Sequence, residues 1–265
     1  MCIIVLGYKM HPQHDLIVAA NRDEFYKRPA KEMEQWEDAP HIWGGRDLEK
    51  MGTWLAVSDN GRFAAVTNYR DPRLPLVGEK SRGAVPVDFI NSSLNALQFT
   101  KQLQEERHLY GAFNVVLYDE ENLVHYNTVM NELTIIPPGI HCISNATLNT
   151  PWPKVKRLKA AFHETIQATT EEEALFAILK DTIRADNQDL PATGVPFEVE
   201  QKLSSIFIHF DGYGTRASTV VKSTDKGWDI AERSFTNGQR ARDVRFILVQ
   251  HTERTENLLT PQIER

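Results

Sequence analysis

The apolar residues of this chain come in short blocks, each closed off by turn residues. A chain punctuated in this way can bury itself only as short strands and amphipathic helices packed in layers. Cys2–Tyr8 and Leu16–Ala20 read as two strands joined by a turn that carries Pro12 and Asp15. Thr53–Val57 and Phe63–Thr67 flank Asp59-Asn60-Gly61, and Asn-Gly between two apolar runs is a strong hairpin signal. Further strands are expected at Phe113–Tyr118, Leu123–Asn127, Leu133–Ile136 and Ile140–Ser144, then at Ser205–His209, Ser218–Lys222, Trp228–Ser234 and Val244–Gln250. One helix is predicted from Val85 to about Glu106. A second begins near Pro151 with Thr150 as its cap, and aligns Val155, Leu158, Phe162 and Ile166. A third is capped by Thr170, which forms a capping box with Glu173 and precedes Leu175, Ile178, Leu179 and Ile183.

Consecutive strands joined by short turns favour antiparallel pairing. The strand–helix alternation of a doubly wound sheet is missing, so the expected class is α+β. At 265 residues the chain is expected to form one domain over 1–265. Ala185–Val199, rich in polar residues, Pro and Gly, reads as a surface loop or lid, and His251–Arg265 as a polar end that frays.

With 30 Lys and Arg against 36 Asp and Glu, the net charge is −6. That balance argues against a sequence-independent grip on nucleic acid. No apolar run approaches the ~18 residues of a membrane span. The N-terminus carries no basic leader or signal-length apolar stretch, so a cytoplasmic location is expected. Two cysteines do not make a disulfide scaffold. His11 and His14 lie close but lack a third ligand, so neither a metal nor a cofactor is expected.

Several clusters could carry chemistry. Cys2 would present a thiol and a free α-amine on one residue once the initiator methionine is removed. That arrangement supplies nucleophile and base together. The plain alternative is a small apolar residue opening a strand. Asn21-Arg22-Asp23-Glu24 ends the second strand, where it meets a cleft or simply solvates the strand exit. Trp43-Gly44-Gly45-Arg46-Asp47 and Gly52-Thr53-Trp54 match neither a phosphate loop nor a dinucleotide fingerprint, and a glycine-rich turn is the simpler reading. Asn68, at a strand end, has an amide suited to an oxyanion. Ser144–Lys154 places amides and hydroxyls before a helix, where capping is the competing explanation. Arg216, in Tyr213-Gly214-Thr215-Arg216, could pair with a carboxylate. Cys142 reads as core.

Taken together these segments resemble the NRDE family, also called the transport and Golgi organisation family. The resemblance runs through Asn21–Tyr26, Arg28-Pro29, Gly44–Asp47, Gly52–Leu55, Thr67–Arg70, Ser81–Gly83, Gly111–Asn114, Ser144–Ala146, Thr150–Lys154 and Tyr213–Arg216. It implies a branch of the N-terminal nucleophile hydrolase fold, a four-layer α-β-β-α sandwich of two antiparallel sheets. The implied enzyme relatives are the penicillin V acylase and bile-salt hydrolase group. By that analogy Cys2 is the nucleophile, Arg22 and Asp23 the charged pair beside it, Asn68 and Asn145 the two asparagines, and Arg216 the late arginine. The enzymes separate their Arg and Asp by two residues, whereas Arg22 and Asp23 adjoin. The wider spacing belongs to Asn21 and Glu24, whose roles stay open.

The resemblance therefore implies a hydrolase of C–N bonds other than peptide bonds, or an acyl-transfer enzyme, acting on a small molecule. Arg22 and Arg216 would lower the thiol pKa, and Asn21, Glu24, Arg46, Arg70 and Trp54 would contact substrate. The competing expectation is a non-catalytic carrier of a haem-like or carboxylated hydrophobic ligand. In it Arg22, Arg46, Arg70 and Arg216 meet carboxylates, and Trp36, Trp43 and Trp54 cover the apolar body. Ordinary core is the simpler reading for the tryptophans.

Overall fold

Strands β1 (Cys2–His11), β2 (His14–Phe25), β3 (Ala30–Trp36), β4 (Ala39–Asp47), β5 (Leu55–Ser58) and β6 (Phe63–Asn68) lead into helices α1 (Ala84–Asn91) and α2 (Ala96–Glu106). Strands β7 (Phe113–Tyr118), β8 (Leu123–Asn127), β9 (Glu132–Ile135) and β10 (Gly139–Ile143) precede α3 (Pro153–Ala168), α4 (Glu172–Leu179) and α5 (Phe197–Lys202). Strands β11 (His209–Phe210), β12 (Tyr213–Thr224), β13 (Gly227–Thr236) and β14 (Gln239–Val249) follow. This computed structural model describes residues 2–75 and 77–250. The polar segment His251–Arg265 lies outside the described residues.

The strands form two sheets, ordered β10-β1-β2-β12-β13-β14 (with β11 beside β12) and β3-β4-β5-β6-β7-β8-β9. Every pairing between named strands is antiparallel. Side chains alternate along each strand, so each sheet has two apolar faces to cover. Ile4, Leu6, Val18 and Trp228 of the first sheet meet Leu55, Phe63, Val116 and Leu123 of the second. The outer face of the second sheet packs on Val85, Phe89, Phe99 and Leu103 of α1 and α2. The outer face of the first packs on Val155, Leu158, Phe162 and Leu175 of α3 and α4. The result is the expected four-layer α-β-β-α sandwich. Each such side chain, fully buried, contributes roughly 1.5–3 kcal/mol.

The local differences from expectation have local causes. The helix expected over Val85–Glu106 is two. Asn95 accepts from the Gln98 backbone N–H at 2.9 Å and its own N–H donates to the Gln98 side chain at 3.2 Å, so a capping box restarts the helix there. Thr150 does not cap α3, because its hydroxyl bonds to the Thr147 carbonyl instead, and Trp152 holds the cap position. Thr170 does not cap α4. Glu171 holds the cap position without a side-chain hydrogen bond, and the Thr170 carbonyl receives the Lys222 ammonium. Helix α4 ends before Ile183, which is exposed. The expected strand Ser205–His209 shrinks to His209–Phe210, and β3 was not anticipated because its alternation is charged on the outer face. Among the described residues no helix is long and apolar enough to cross a membrane.

Candidate functional site

Strand β1 places its even-numbered side chains Ile4, Leu6 and Tyr8 between the sheets. Alternation therefore puts Cys2 on the same face, at the open end of the sandwich. Its antiparallel partner is Arg22, and Ile3 pairs with Asn21. Cys2 lies on the floor of a cleft of about 140 Å³ whose walls include Arg22, Glu24, Trp54, Asn68 and Arg82. Burial pushes the Cys2 thiol up, and Asp23 adds to that. Arg22 and a hydrogen bond from the Asp23 backbone N–H pull the other way without overcoming it. In the chain that carries Met1, desolvation outweighs the lowering expected from Arg22, and Arg216 is not among the groups acting on the thiol.

The strand parity that brings Cys2, Arg22 and Glu24 to the cleft turns the Asn21 and Asp23 side chains toward the opposite face of the sheet, but Asp23 still lines the cleft beside Cys2. Asn21 is buried there, donating to the carbonyls of Leu179 and Ile206 and accepting from the Ser218 hydroxyl at 2.6 Å. It fastens α4 to the sheet and is not placed to touch a substrate. The Asp23 carboxylate accepts from the Thr215 hydroxyl at 2.8 Å. Burial raises its pKa, while the chain's α-ammonium, Lys154, Thr215 and Arg70 oppose the shift. Glu24 accepts from the Phe25 N–H and stands at the cleft wall.

Arg22 lies 4.2 Å over the Trp54 ring and 3.8 Å from Asp47. Trp54 needs the missing side chain of Gly45, since a Cβ there would fall on the indole. Gly52 similarly lets the chain approach the Gly83 carbonyl, which the Thr53 N–H meets at 2.9 Å. The glycines expected in a turn are instead cleared spaces: Gly44 and Gly45 are in β4. Gly45→Ala is expected to unseat the indole and cost about 1–3 kcal/mol. Urea unfolding, with the accompanying change in tryptophan fluorescence, measures it.

A buried lattice ties strand β1 to its neighbours. The Ser144 hydroxyl donates to the Cys2 carbonyl, and Thr67 donates to the Ser144 carbonyl. Asn114 donates to the Ala146 carbonyl. Asn145 is fully buried and donates to the Asn68 carbonyl at 2.9 Å, so it positions Asn68. Arg70, expected to bind substrate, is buried against Glu200 and Asn145. Lys154 is buried with its ammonium on the Leu203 carbonyl, and burial brings its pKa down to about 7.

Arg216 is the extra residue of a bulge in β12 opposite Asp23 and Arg22. A bulge re-aims a side chain, and here the guanidinium turns to the carbonyls of Phe25, Tyr26 and Arg28. It clamps the turn after β2. Arg46 stacks on Trp36 and pairs with Asp38. Arg22, Arg46, Arg70 and Arg216 are therefore all engaged by the protein itself. Trp36 is core, and Trp43 packs against the core between the sheets. Among the described residues no group of three His, Cys, Asp or Glu side chains is placed to hold a metal ion.

Sequence reasoning assigned no role to Arg28, Asp47, Lys50 and Arg82, all on the cleft wall. The stretches Arg28-Pro29 and Ser81–Gly83 were the available signal. It also missed Glu232, which is buried between the Met33 N–H and the Thr219 hydroxyl and borders a cleft with Trp54 and Arg216. Burial raises Glu232 from 4.5 to about 7. A raised carboxyl stabilises the fold below its unfolded pKa, and that stability is lost as pH rises through about 7. Glu232→Gln is expected to remove a loss of about 3 kcal/mol between pH 4.5 and 8. Urea unfolding across that range checks it, and an unchanged slope contradicts it.

A family model described as Transport and Golgi organisation 2 matches residues 1–237. The chain is 33% identical over 243 residues to the Transport and Golgi organization protein 2 homolog of Bos taurus, covering 83% of this chain and 88% of that protein. It is 31% identical over 265 residues to the Mus musculus homolog, covering 91% and 96%. Against the Drosophila melanogaster protein the figures are 28% over 251 residues, 83% and 87%. Among solved structures it is similar to a Caenorhabditis elegans N-acylethanolamine-hydrolyzing acid amidase ortholog, with a TM-score of 0.41 and 9% identity, covering 83% of this chain and 92% of that one.

Proposed function

We propose that this chain, which belongs to the Transport and Golgi organisation 2 family, opens small acyl amides with Cys2 as nucleophile, as an amide hydrolase or acyl-transfer enzyme. The observation that carries this reading is the position of Cys2 on the floor of an open cleft, beside the Asp23 N–H and among polar side chains. The other cysteine, Cys142, is sealed in the core under α3, where burial pushes its thiol up to about 12.

Removal of the initiator methionine leaves a thiol and an α-amine on one residue. The amine has an ordinary pKa of ~7.7–8.0 and takes the thiol proton as sulfur bonds to the carbonyl carbon. The carbonyl electrons move to oxygen, where the Asn68 amide donates; one such donor is worth about 3–4 kcal/mol. The protonated amine passes its proton to the leaving nitrogen as the C–N bond breaks, leaving a thioester on Cys2. Water deprotonated by the same amine releases the acid, and a second amine in place of water gives transfer. Asn145 and Ser144 hold Asn68 and the Cys2 main chain in register.

A screen of N-acyl amides and lactones tests the reading, with Cys2→Ala as the control. Turnover that disappears in the variant supports it. Absence of turnover across the set, or equal turnover in the variant, counts against it.

A further inference from the structure

A cavity of about 670 Å³ lies at the end of the sandwich opposite Cys2. The rise of β1 puts it roughly 30 Å from that residue. Its walls are the turns joining β1 to β2, β5 to β6, β7 to β8 and β12 to β13. Such a volume suits a small organic molecule. Tyr118, the last residue of β7, lines the cavity and is only 3% exposed. Its ring packs edge-on against Trp228, and its hydroxyl makes no hydrogen bond among the described residues. A buried tyrosine hydroxyl usually has a partner. Three carboxylates line the same cavity from separate elements: Asp15 on β2, Glu120 in the β7–β8 turn and Asp225 in the β12–β13 turn. Burial holds the Tyr118 pKa above its ordinary value, and Asp15 and Glu120 add to that, so both lie within electrostatic reach of the hydroxyl. None of the three carboxylates forms an ion pair among the described residues, and no Lys or Arg lines the cavity. The cations around it are committed or turned away. Lys222 is 2.9 Å from Asp229, Lys9 lies over the Tyr8 ring, and Lys226 is exposed outside the lining. His14, also on the wall, has Nδ1 2.5 Å from the Ser223 carbonyl, which only accepts, so Nδ1 donates. Burial lowers the His14 pKa, so the ring is neutral at pH 7 and Nε2 is an acceptor.

We propose that this cavity binds an aliphatic polyamine, whose ammonium groups donate to Asp15, Glu120 and Asp225 while one of them donates to the Tyr118 hydroxyl. The acceptors stand on separate turns, and a polyamine carries a charged donor at each of several points along its length. The carboxylates are too dispersed to close on a single metal ion. A neutral diol of similar length brings hydrogen bonds without charge, and a magnesium ion brings charge without length. The site is independent of the chemistry at Cys2.

Calorimetric titration of the full chain with spermidine, octanediol and magnesium chloride tests this. One saturable spermidine site is expected, weakening at high salt, with no saturable response to the other two. Tyr118→Phe should weaken spermidine about tenfold and leave urea unfolding unchanged, since the hydroxyl supports nothing in the fold. The joint change Asp15→Asn, Glu120→Gln and Asp225→Asn should weaken it by at least about tenfold. Absence of saturable spermidine binding overturns the proposal. Binding that Tyr118→Phe leaves unchanged also overturns it, as the diffuse counter-ion response of an acidic surface. Binding that the carboxylate variant leaves unchanged lies elsewhere on the molecule and overturns it too. A response matched by octanediol removes the cation, and one matched by magnesium removes the polyamine; either result overturns the assignment.

Discussion

Cys2→Ala is expected to lower acyl-amide turnover by on the order of 10⁴-fold or more, since removing a nucleophile disables the unit that acts with it. The same change should leave the fold nearly as stable. Cys2 sits at the end of β1 with its side chain at a cleft floor, and losing one sulfur there costs about 1 kcal/mol. Cys142→Ala provides the contrast: a core cavity with a stability cost and no loss of chemistry per folded molecule. Turnover measured alongside urea unfolding separates the two. Activity surviving in Cys2→Ala, or lost equally in Cys142→Ala, would contradict the assignment.

The second large effect concerns stability. Arg70→Met should destabilise the protein by about 3–5 kcal/mol, because it leaves the buried Glu200 carboxylate without its guanidinium. The damage is expected to spread, since Arg70 also contacts Asn145, which holds Asn68 at the cleft. Pairing the change with Glu200→Gln removes the stranded charge and should recover most of the loss. Urea unfolding of the single and double variants reads both values. A loss below about 1 kcal/mol in Arg70→Met would mean that the buried pair contributes far less than its surroundings imply.

Much of the architecture was legible because short apolar blocks and an Asn60-Gly61 turn dictate antiparallel strands, and the four layers came with the family resemblance. The interruption of the α1–α2 stretch was not read, although the Asn95 and Gln98 capping residues were present. Strands β3 and β4 were missed because Glu32, Glu34 and the paired glycines hide their alternation. At the site, Cys2, Arg22, Glu24, Asn68 and Trp54 were legible and converge on one cleft. Asn21 could not be separated from Arg22, Asp23 and Glu24 without knowing which face β2 buries. Arg216 was misread because a bulge breaks the period that would have located it. Arg70 was misread because its partner, Glu200, lies 130 positions away. Lys50 and Arg82 lie in connecting segments, where side-chain direction follows from tertiary packing more than from any repeat.

In the proposed reaction an acyl group passes through the sulfur of a terminal cysteine. Mass spectrometry of the N-terminal peptide after brief incubation with an activated acyl donor tests it most directly. The expected peptide starts at Cys2, carries one acyl group on that residue, and loses it with time or added amine. A peptide that keeps Met1, or an acyl group found on Cys142 or nowhere, would contradict it.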